Sequence, residues 1–175
     1  IVVTDQSNGC VTNTININIA AGPPISTTAT KTDALCNGSA TGTITVAQPS
    51  VGTAPFEYSL DGITWQASNV FNGLAAGTYT VYFREGGGCQ GTVPITVAEP
   101  TVLATSVSAS AAICNAQSNG TLLVAANGGV SPYQYSLDGT TWQAANIFNV
   151  PAGNYTVSIR DANGCISTQN ATVTE

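Results

Sequence analysis

Few side chains in this sequence carry chemistry of their own. Five cysteines stand at Cys10, Cys36, Cys89, Cys114 and Cys165, and the 175 residues include no histidine. A thiol becomes a nucleophile when cations or a base favour its ionised form. The only cations here are Lys31, Arg84 and Arg160. General acid–base work lacks an imidazole, and no carboxylate pair stands apart from those that turns would use. The cysteine spacings match no zinc pattern, and without histidine a zinc site would need sulfur or carboxylate ligands alone. The chain is therefore expected not to be an enzyme and to need no cofactor. Disulfide formation is the chemistry left to the thiols, and it points to an oxidising compartment outside the cytoplasm.

The elements that must hold these cysteines repeat along the chain. Pro55 to Ala67 reads Pro-Phe-Glu-Tyr-Ser-Leu-Asp-Gly-Ile-Thr-Trp-Gln-Ala, and Pro132 to Ala144 reads Pro-Tyr-Gln-Tyr-Ser-Leu-Asp-Gly-Thr-Thr-Trp-Gln-Ala. Ala-Gly-Thr-Tyr-Thr-Val from Ala76 returns as Ala-Gly-Asn-Tyr-Thr-Val from Ala152. Cys36 and Asn37 correspond to Cys114 and Asn115, and Gly88 and Cys89 to Gly164 and Cys165. The segment Val3 to Cys10 resembles Ile159 to Cys165. Self-similarity of this kind marks a repeat array. The organisation expected is the last hairpin of a partial preceding repeat at 1–24, then full repeats at 25–100 and 101–175. Prolines at 23, 24 and 100 would stiffen the joints.

Within each repeat the segments alternate with period two: Thr43 to Ala47, Phe56 to Leu60, Tyr79 to Phe83 and Val93 to Val97. This is the pattern of strands with one buried and one wet face. Asp61-Gly62, Asp138-Gly139, Asn8-Gly9 and Asn163-Gly164 are the pairs that two-residue type I′ hairpins prefer. Six or seven short strands predict an all-β fold of tandem small immunoglobulin-like or fibronectin-like β-sandwich repeats in an elongated array. Each full repeat holds an early and a late cysteine, so the expected pairs are Cys36–Cys89 and Cys114–Cys165. Each would close a loop of about 50 residues, nominally worth roughly 4 kcal/mol in the chain-entropy account. Cys10 is left unpaired or bonded between chains.

Charged residues make up 7% of the chain and its formal net charge is −6. A surface without a basic patch does not bind nucleic acid or an anionic membrane face. No apolar run approaches the roughly 20 residues that span a bilayer.

With these motifs in order, each full repeat resembles the SprB-type repeat of very large surface adhesins in gliding Bacteroidota. The motifs are the Cys-Asn start, the Gly-Thr-Ile-Thr-Val or Gly-Thr-Leu-Leu-Val strand, the Tyr-Ser-Leu-Asp-Gly turn, Ala-Gly-x-Tyr-Thr-Val and the Gly-Cys ending. The resemblance implies type IX secretion, display on the bacterial cell surface as filaments, and roles in gliding, attachment or biofilm. The partners it implies are neighbouring repeats or identical chains, with surface polysaccharide as a further candidate. One departure is Arg-Glu-Gly-Gly-Gly-Cys at Arg84 to Cys89, where the second repeat keeps Asp161-Ala-Asn-Gly-Cys165.

Trp65 and Trp142 are candidate sugar-stacking platforms, although a place in the core beside Tyr58 and Tyr135 fits their recurrence better. Tyr79 and Tyr155 resemble the tyrosine corner of sandwich domains. Asp5 and Asp161 are calcium candidates, yet calcium wants six to eight oxygens and an Asp beside an Asn also serves a turn. Two further readings stand beside the adhesin repeat: a filament subunit completed by strand exchange, and a carbohydrate-binding module.

Overall fold

The computed structural model of the protein describes residues 24–113 and 118–175. Twelve strands form in this span, and the alternating segments become strands because their inward positions carry the branched and aromatic side chains. In the first half they are β1 (Ala29–Thr32), β2 (Gly42–Val46), β3 (Phe56–Ser59), β4 (Val70–Leu74), β5 (Gly77–Glu85) and β6 (Gln90–Val97). In the second they are β7 (Ala104–Ser110), β8 (Gly120–Asn127), β9 (Gln134–Ser136), β10 (Ile147–Val150), β11 (Gly153–Arg160) and β12 (Ile166–Val173). Among the described residues all the structure is β.

Each half is a sandwich of two three-stranded antiparallel sheets. The orders are β1-β2-β4 against β3-β5-β6, and β7-β8-β10 against β9-β11-β12. The first, second and fourth strands thus face the third, fifth and sixth. This is the A-B-E against C-F-G arrangement of an immunoglobulin-type sandwich without its D strand. Ile44, Val46, Tyr58, Val81, Phe83 and Val97 fill the first core, and Leu122, Val124, Tyr135, Val157, Ile159 and Val173 the second. Both halves place a cis peptide at the same point, Ala54–Pro55 and Ser131–Pro132.

The hairpin expectation needs correction. Asp61-Gly62 is not the centre of a two-residue turn. The chain recloses only at the Tyr58↔Gln66 bridge, and at Tyr135↔Gln143 in the second half. The intervening loop is built around a carboxylate. Asp61 Oδ1 accepts the amides of Ile63 (2.8 Å) and Thr64 (2.7 Å) and the Ser59 hydroxyl (2.8 Å). Asp138 does the same for Thr140, Thr141 and Ser136. These amides, ahead of the serine hydroxyl, hold both carboxyls well below the usual carboxylate range. A depressed folded-state pKa contributes stability above the unfolded value of about 4 and loses it as pH falls through the folded one. Thermal melts followed by circular dichroism between pH 7 and pH 2 should therefore fall below about pH 4. The Asp61→Asn, Asp138→Asn double variant should melt lower at pH 7 and show a flatter decline in acid. An unchanged acid limb would show that these loops contribute nothing to it.

Candidate functional site: the joint between the repeats

Cys36 lies in the connection from β1 to β2, at the end of the first sandwich where Thr32 pairs with Thr43 and Val97 pairs with Gly77. Cys89 lies in the β5–β6 turn at the other end. Between the two ends runs β5, nine residues long, or about 30 Å at strand rise. A disulfide needs Cα atoms within roughly 7 Å. The expected Cys36–Cys89 pair is therefore excluded by the direction of the strands.

Cys36 is instead bonded to Cys165 of the second repeat, with a Cα–Cα distance of 5.8 Å and 129 positions between them in sequence. The expected Cys114–Cys165 pair is corrected by the same bond. Cys114 lies outside the described residues, as do Cys10 and Asp5. Cys89 is exposed and is the free cysteine among the described residues. The sequence assigned each repeat its own staple, whereas the staple joins two repeats. The late turn of the second repeat meets the early loop of the first because the sandwiches are stacked end to end.

Polar contacts fix the linker to both repeats. Asp33 Oδ1 accepts the Ala98 amide (2.7 Å), and the Ala34 amide donates to the Ala98 carbonyl (2.9 Å). The hydrogen bond from Lys31, then that from the Ala98 amide, keeps the Asp33 carboxyl ionised to lower pH than usual. The Glu99 carboxylate accepts from Asn37 Nδ2 (3.0 Å) and from the Gly38 amide (2.6 Å), closing the linker onto the Cys36 loop. Asn37 Nδ2 also donates to the Pro100 carbonyl (3.0 Å). On the far side the Gly129 amide donates to the Thr101 carbonyl (2.9 Å). Asn163 Nδ2 reaches across the joint to the Leu35 carbonyl (2.7 Å). In the sequence Asn37 belongs to the Cys-Asn motif, Asn163 to a turn and Glu99 to the joint, but their hydrogen bonds across the joint are seen only in the structure.

The turn that presents Cys165 is held by Asp161, which is 4% exposed. Its Oδ1 accepts the amides of Asn163 and Cys165 (both 2.9 Å), and its Oδ2 accepts the Val130 amide (3.0 Å). Three of the carboxylate's roughly four acceptor positions are thus filled by backbone. As a calcium candidate Asp161 is committed to a turn, and no group of three acidic or cysteine side chains suited to a metal occurs among the described residues. The Gly164 amide donates to the Asp161 carbonyl (3.1 Å), and Gly164 takes φ +83°. This is the three-residue hairpin ending on a left-handed glycine, not the type I′ form expected of Asn163-Gly164.

The departure at Arg84 to Cys89 preserves this turn. Gly88 takes φ +94°, and its amide donates to the Glu85 carbonyl (3.0 Å). Glu85 replaces Asp161: its carboxylate accepts the Thr53 amide and the Cys89 amide (3.3 Å). These bonds, that of Thr53 first, hold the Glu85 carboxyl below its usual range. The extra methylene of Glu needs space. A Cβ on Gly87 would stand 2.5 Å from Glu85 Oε1, so glycine at 87 and glutamate at 85 belong together. Restoring asparagine alone, Gly87→Asn, should destabilise the first repeat by about 1–3 kcal/mol through overpacking. Adding Glu85→Asp should recover most of the loss, a coupling that urea titrations of both single variants and the double would expose. Additive effects would disprove it.

Trp65 and Trp142 occupy neither core. Both are half-buried at the surface and lie outside the two buried clusters. The Arg84 guanidinium stacks 4.1 Å from the Trp65 centroid, and Arg160 stacks 4.4 Å from Trp142. Arg84 is paired with Glu57 at 2.6 Å, and Arg160 Nε donates to Gln134 Oε1 at 3.2 Å. Each stack is worth about 0.5–1 kcal/mol at an exposed site. It covers one ring face, which a stacked sugar would otherwise use. Tyr79 and Tyr155 donate their hydroxyls four residues back, to the Ala75 (2.9 Å) and Pro151 (2.8 Å) carbonyls, which is tyrosine-corner geometry.

The SprB repeat family profile matches residues 28–64 and again 106–141. Two segments of the chain, one in each sandwich, thus match the SprB repeat. Its all-β sandwich halves are of the immunoglobulin and fibronectin type, and SprB repeats occur in cell-surface proteins. Among solved structures, the chain is similar to the C-terminal 282-residue fragment of intimin, crystallised with the intimin-binding domain of the translocated intimin receptor. The identity is 13% and the TM-score 0.42, over 87% of this chain and 65% of that one. The chain thus spans just under two thirds of the intimin fragment. Fibronectin(III)-like modules of Clostridium thermocellum CbhA match at 14% identity and TM-score 0.34, over 84% of this chain and 93% of that one. An I-band fragment of titin matches at 16% identity and TM-score 0.38, over 88% and 66%. Among curated proteins there is no match.

Proposed function

We propose that this chain is a load-bearing segment of a bacterial cell-surface adhesin or filament, serving as stalk and spacer. The observation that supports this reading is the Cys36–Cys165 bond, which crosses from one SprB repeat to the next. A bond placed there does little for either core and much for the continuity of the array. Together with the hydrogen-bonded linker it sets the angle between repeats, so an array of them would project as a stiff rod. Its disulfide suits an oxidising, extracellular setting. Export by type IX secretion, and a part in gliding, attachment or biofilm, follow from the resemblance to SprB-type adhesins. The repeat boundaries this reading uses are 25–100 and 101–175, with 1–24 as the end of a preceding repeat. No catalytic role is assigned.

The test is surface display in the source bacterium. Antibodies raised to the chain should label intact cells, and brief protease treatment of whole cells should remove the label. Label that appears only after permeabilisation would overturn the proposal. Purified chain added to immobilised cell-surface polysaccharide would separate the carbohydrate-binding alternative: saturable binding lost in a Trp65→Ala, Trp142→Ala variant would favour that reading instead.

A further inference from the structure

The joint has two unlike halves, and each repeat owns one of each. The first repeat's early loop, Leu35 to Gly38, is occupied by the second repeat's late turn. The first repeat also has a late turn, and nothing among the described residues occupies it. We propose that the Glu85–Cys89 turn is the docking site for the early-cysteine loop of another SprB repeat, and that Cys89 forms with that loop the bond that Cys165 forms with Cys36. This rests on the reading of the chain as part of an array.

The two turns are built alike although their sequences differ. Glu85 and Asp161 each place a buried carboxylate under the turn and accept the amide of the cysteine. The Glu85 amide donates to the Cys89 carbonyl (3.1 Å), as the Asp161 amide does to Cys165 (3.0 Å). The Gly86 amide donates to Thr53, as the Ala162 amide does to Val130. In the second repeat this construction ends in a cysteine bonded across the joint. In the first it ends in Cys89, exposed and free.

The opposite end of the second repeat is prepared in the same manner. Its Ala112 amide donates to the Thr174 carbonyl (2.7 Å), repeating the Ala34–Ala98 bond that opens the observed joint. Glu175 follows Thr174 as Glu99 follows Ala98. Ile113, at the position of Leu35, is 86% exposed, whereas Leu35 at the formed joint is 50% exposed. One detail of the joint does not carry over. Gly87 stands where Asn163 donates to Leu35, so a joint on Cys89 keeps the disulfide without that hydrogen bond.

The chemistry is a two-electron oxidation. Two thiols lose two protons and two electrons and form one S–S bond. A small-molecule disulfide such as oxidised glutathione accepts the electrons and is released as two thiols. Each repeat would then be bonded to both neighbours, its early cysteine to the next and its late cysteine to the one before.

A lengthened chain tests this, with residues 23–100 present twice in tandem. Cys10→Ser, Cys114→Ser and, in the upstream copy alone, Cys89→Ser leave four cysteines. After refolding in a glutathione buffer, alkylation and peptide mapping should find two disulfides and no free thiol. One is Cys36–Cys165, and the other is Cys36 of the upstream copy with Cys89 of the downstream copy. A map with Cys36–Cys165 formed but Cys89 and the upstream Cys36 both alkylated would overturn the inference and leave the array reading standing. Loss of Cys36–Cys165 as well would remove the array reading with it.

Discussion

Pulled from its two ends in an oxidising buffer, the chain should lengthen by only a fraction of its contour. Tension enters near Pro24, follows β1 to Cys36, crosses the sulfur–sulfur bond to Cys165 and leaves along β12. Strands β2 to β6 of the first repeat and β7 to β11 of the second lie inside the covalent loop and carry no load. The loop holds 129 positions, which at about 3.5 Å each amounts to roughly 450 Å of chain that force cannot release. Reductant, or Cys36→Ser without reductant, should restore that length as unfolding steps in single-molecule extension records. Equal release with and without reductant would show that the bond does not bear load. In solution the same bond should raise stability, nominally by about 5 kcal/mol for a loop this long in the chain-entropy account. The force record is the sharper readout, because a bridge between two folded sandwiches restricts the unfolded chain less once one sandwich remains intact.

This behaviour was not legible in the cysteine spacing, and the reason is geometric. Two cysteines near the start and finish of a repeat look like a pair when the repeat is read as a line. In a sandwich, the connection after the first strand and the turn before the last lie at opposite ends. The same geometry brings the start of one repeat against the finish of the next. The repeat pattern and the period-two alternation were local properties, so the strands and the inward positions Ile44, Val81, Leu122 and Val157 could be read directly. Trp65 and Trp142 were harder. Their recurrence favours a core place, and what overrides it is Arg84 and Arg160, which come to lie over the rings only once β3 and β5, or β9 and β11, are paired. The turns were misjudged for a related reason. Asp-Gly and Asn-Gly favour a type I′ turn when the backbone alone decides. Here the carboxylates of Asp61, Asp138 and Asp161 recruit amides two to four residues on and build longer loops.

Phe83→Ala should unfold the first repeat and leave the second folded. Phe83 is 2% exposed and is among the largest buried side chains of its core. Its truncation is expected to cost about 3–5 kcal/mol, most of what a domain of some 75 residues has to lose. The ring lies over Gly91, its register partner on β6, and a Cβ there would sit 2.8 Å from Phe83 Cε2. The second repeat solves the same position with smaller pieces, Ile159 opposite Ser167. Gly91→Ser alone should therefore overpack the first core, and Phe83→Ile with Gly91→Ser should restore much of its stability, since the pair exists in the neighbouring repeat. Each repeat carries one tryptophan at its surface under an arginine, so Trp65→Phe and Trp142→Phe backgrounds report the two transitions separately in a fluorescence melt. With the joint reduced, Phe83→Ala should shift the Trp65 transition and spare that of Trp142. With the joint oxidised, the unfolded first repeat stays tied to the second through Cys36, and the Trp142 transition should move only slightly. If the two transitions fell together in both states, the linker contacts around Glu99 and Asn163 would have to couple the cores, and the array would unfold as one body instead of repeat by repeat.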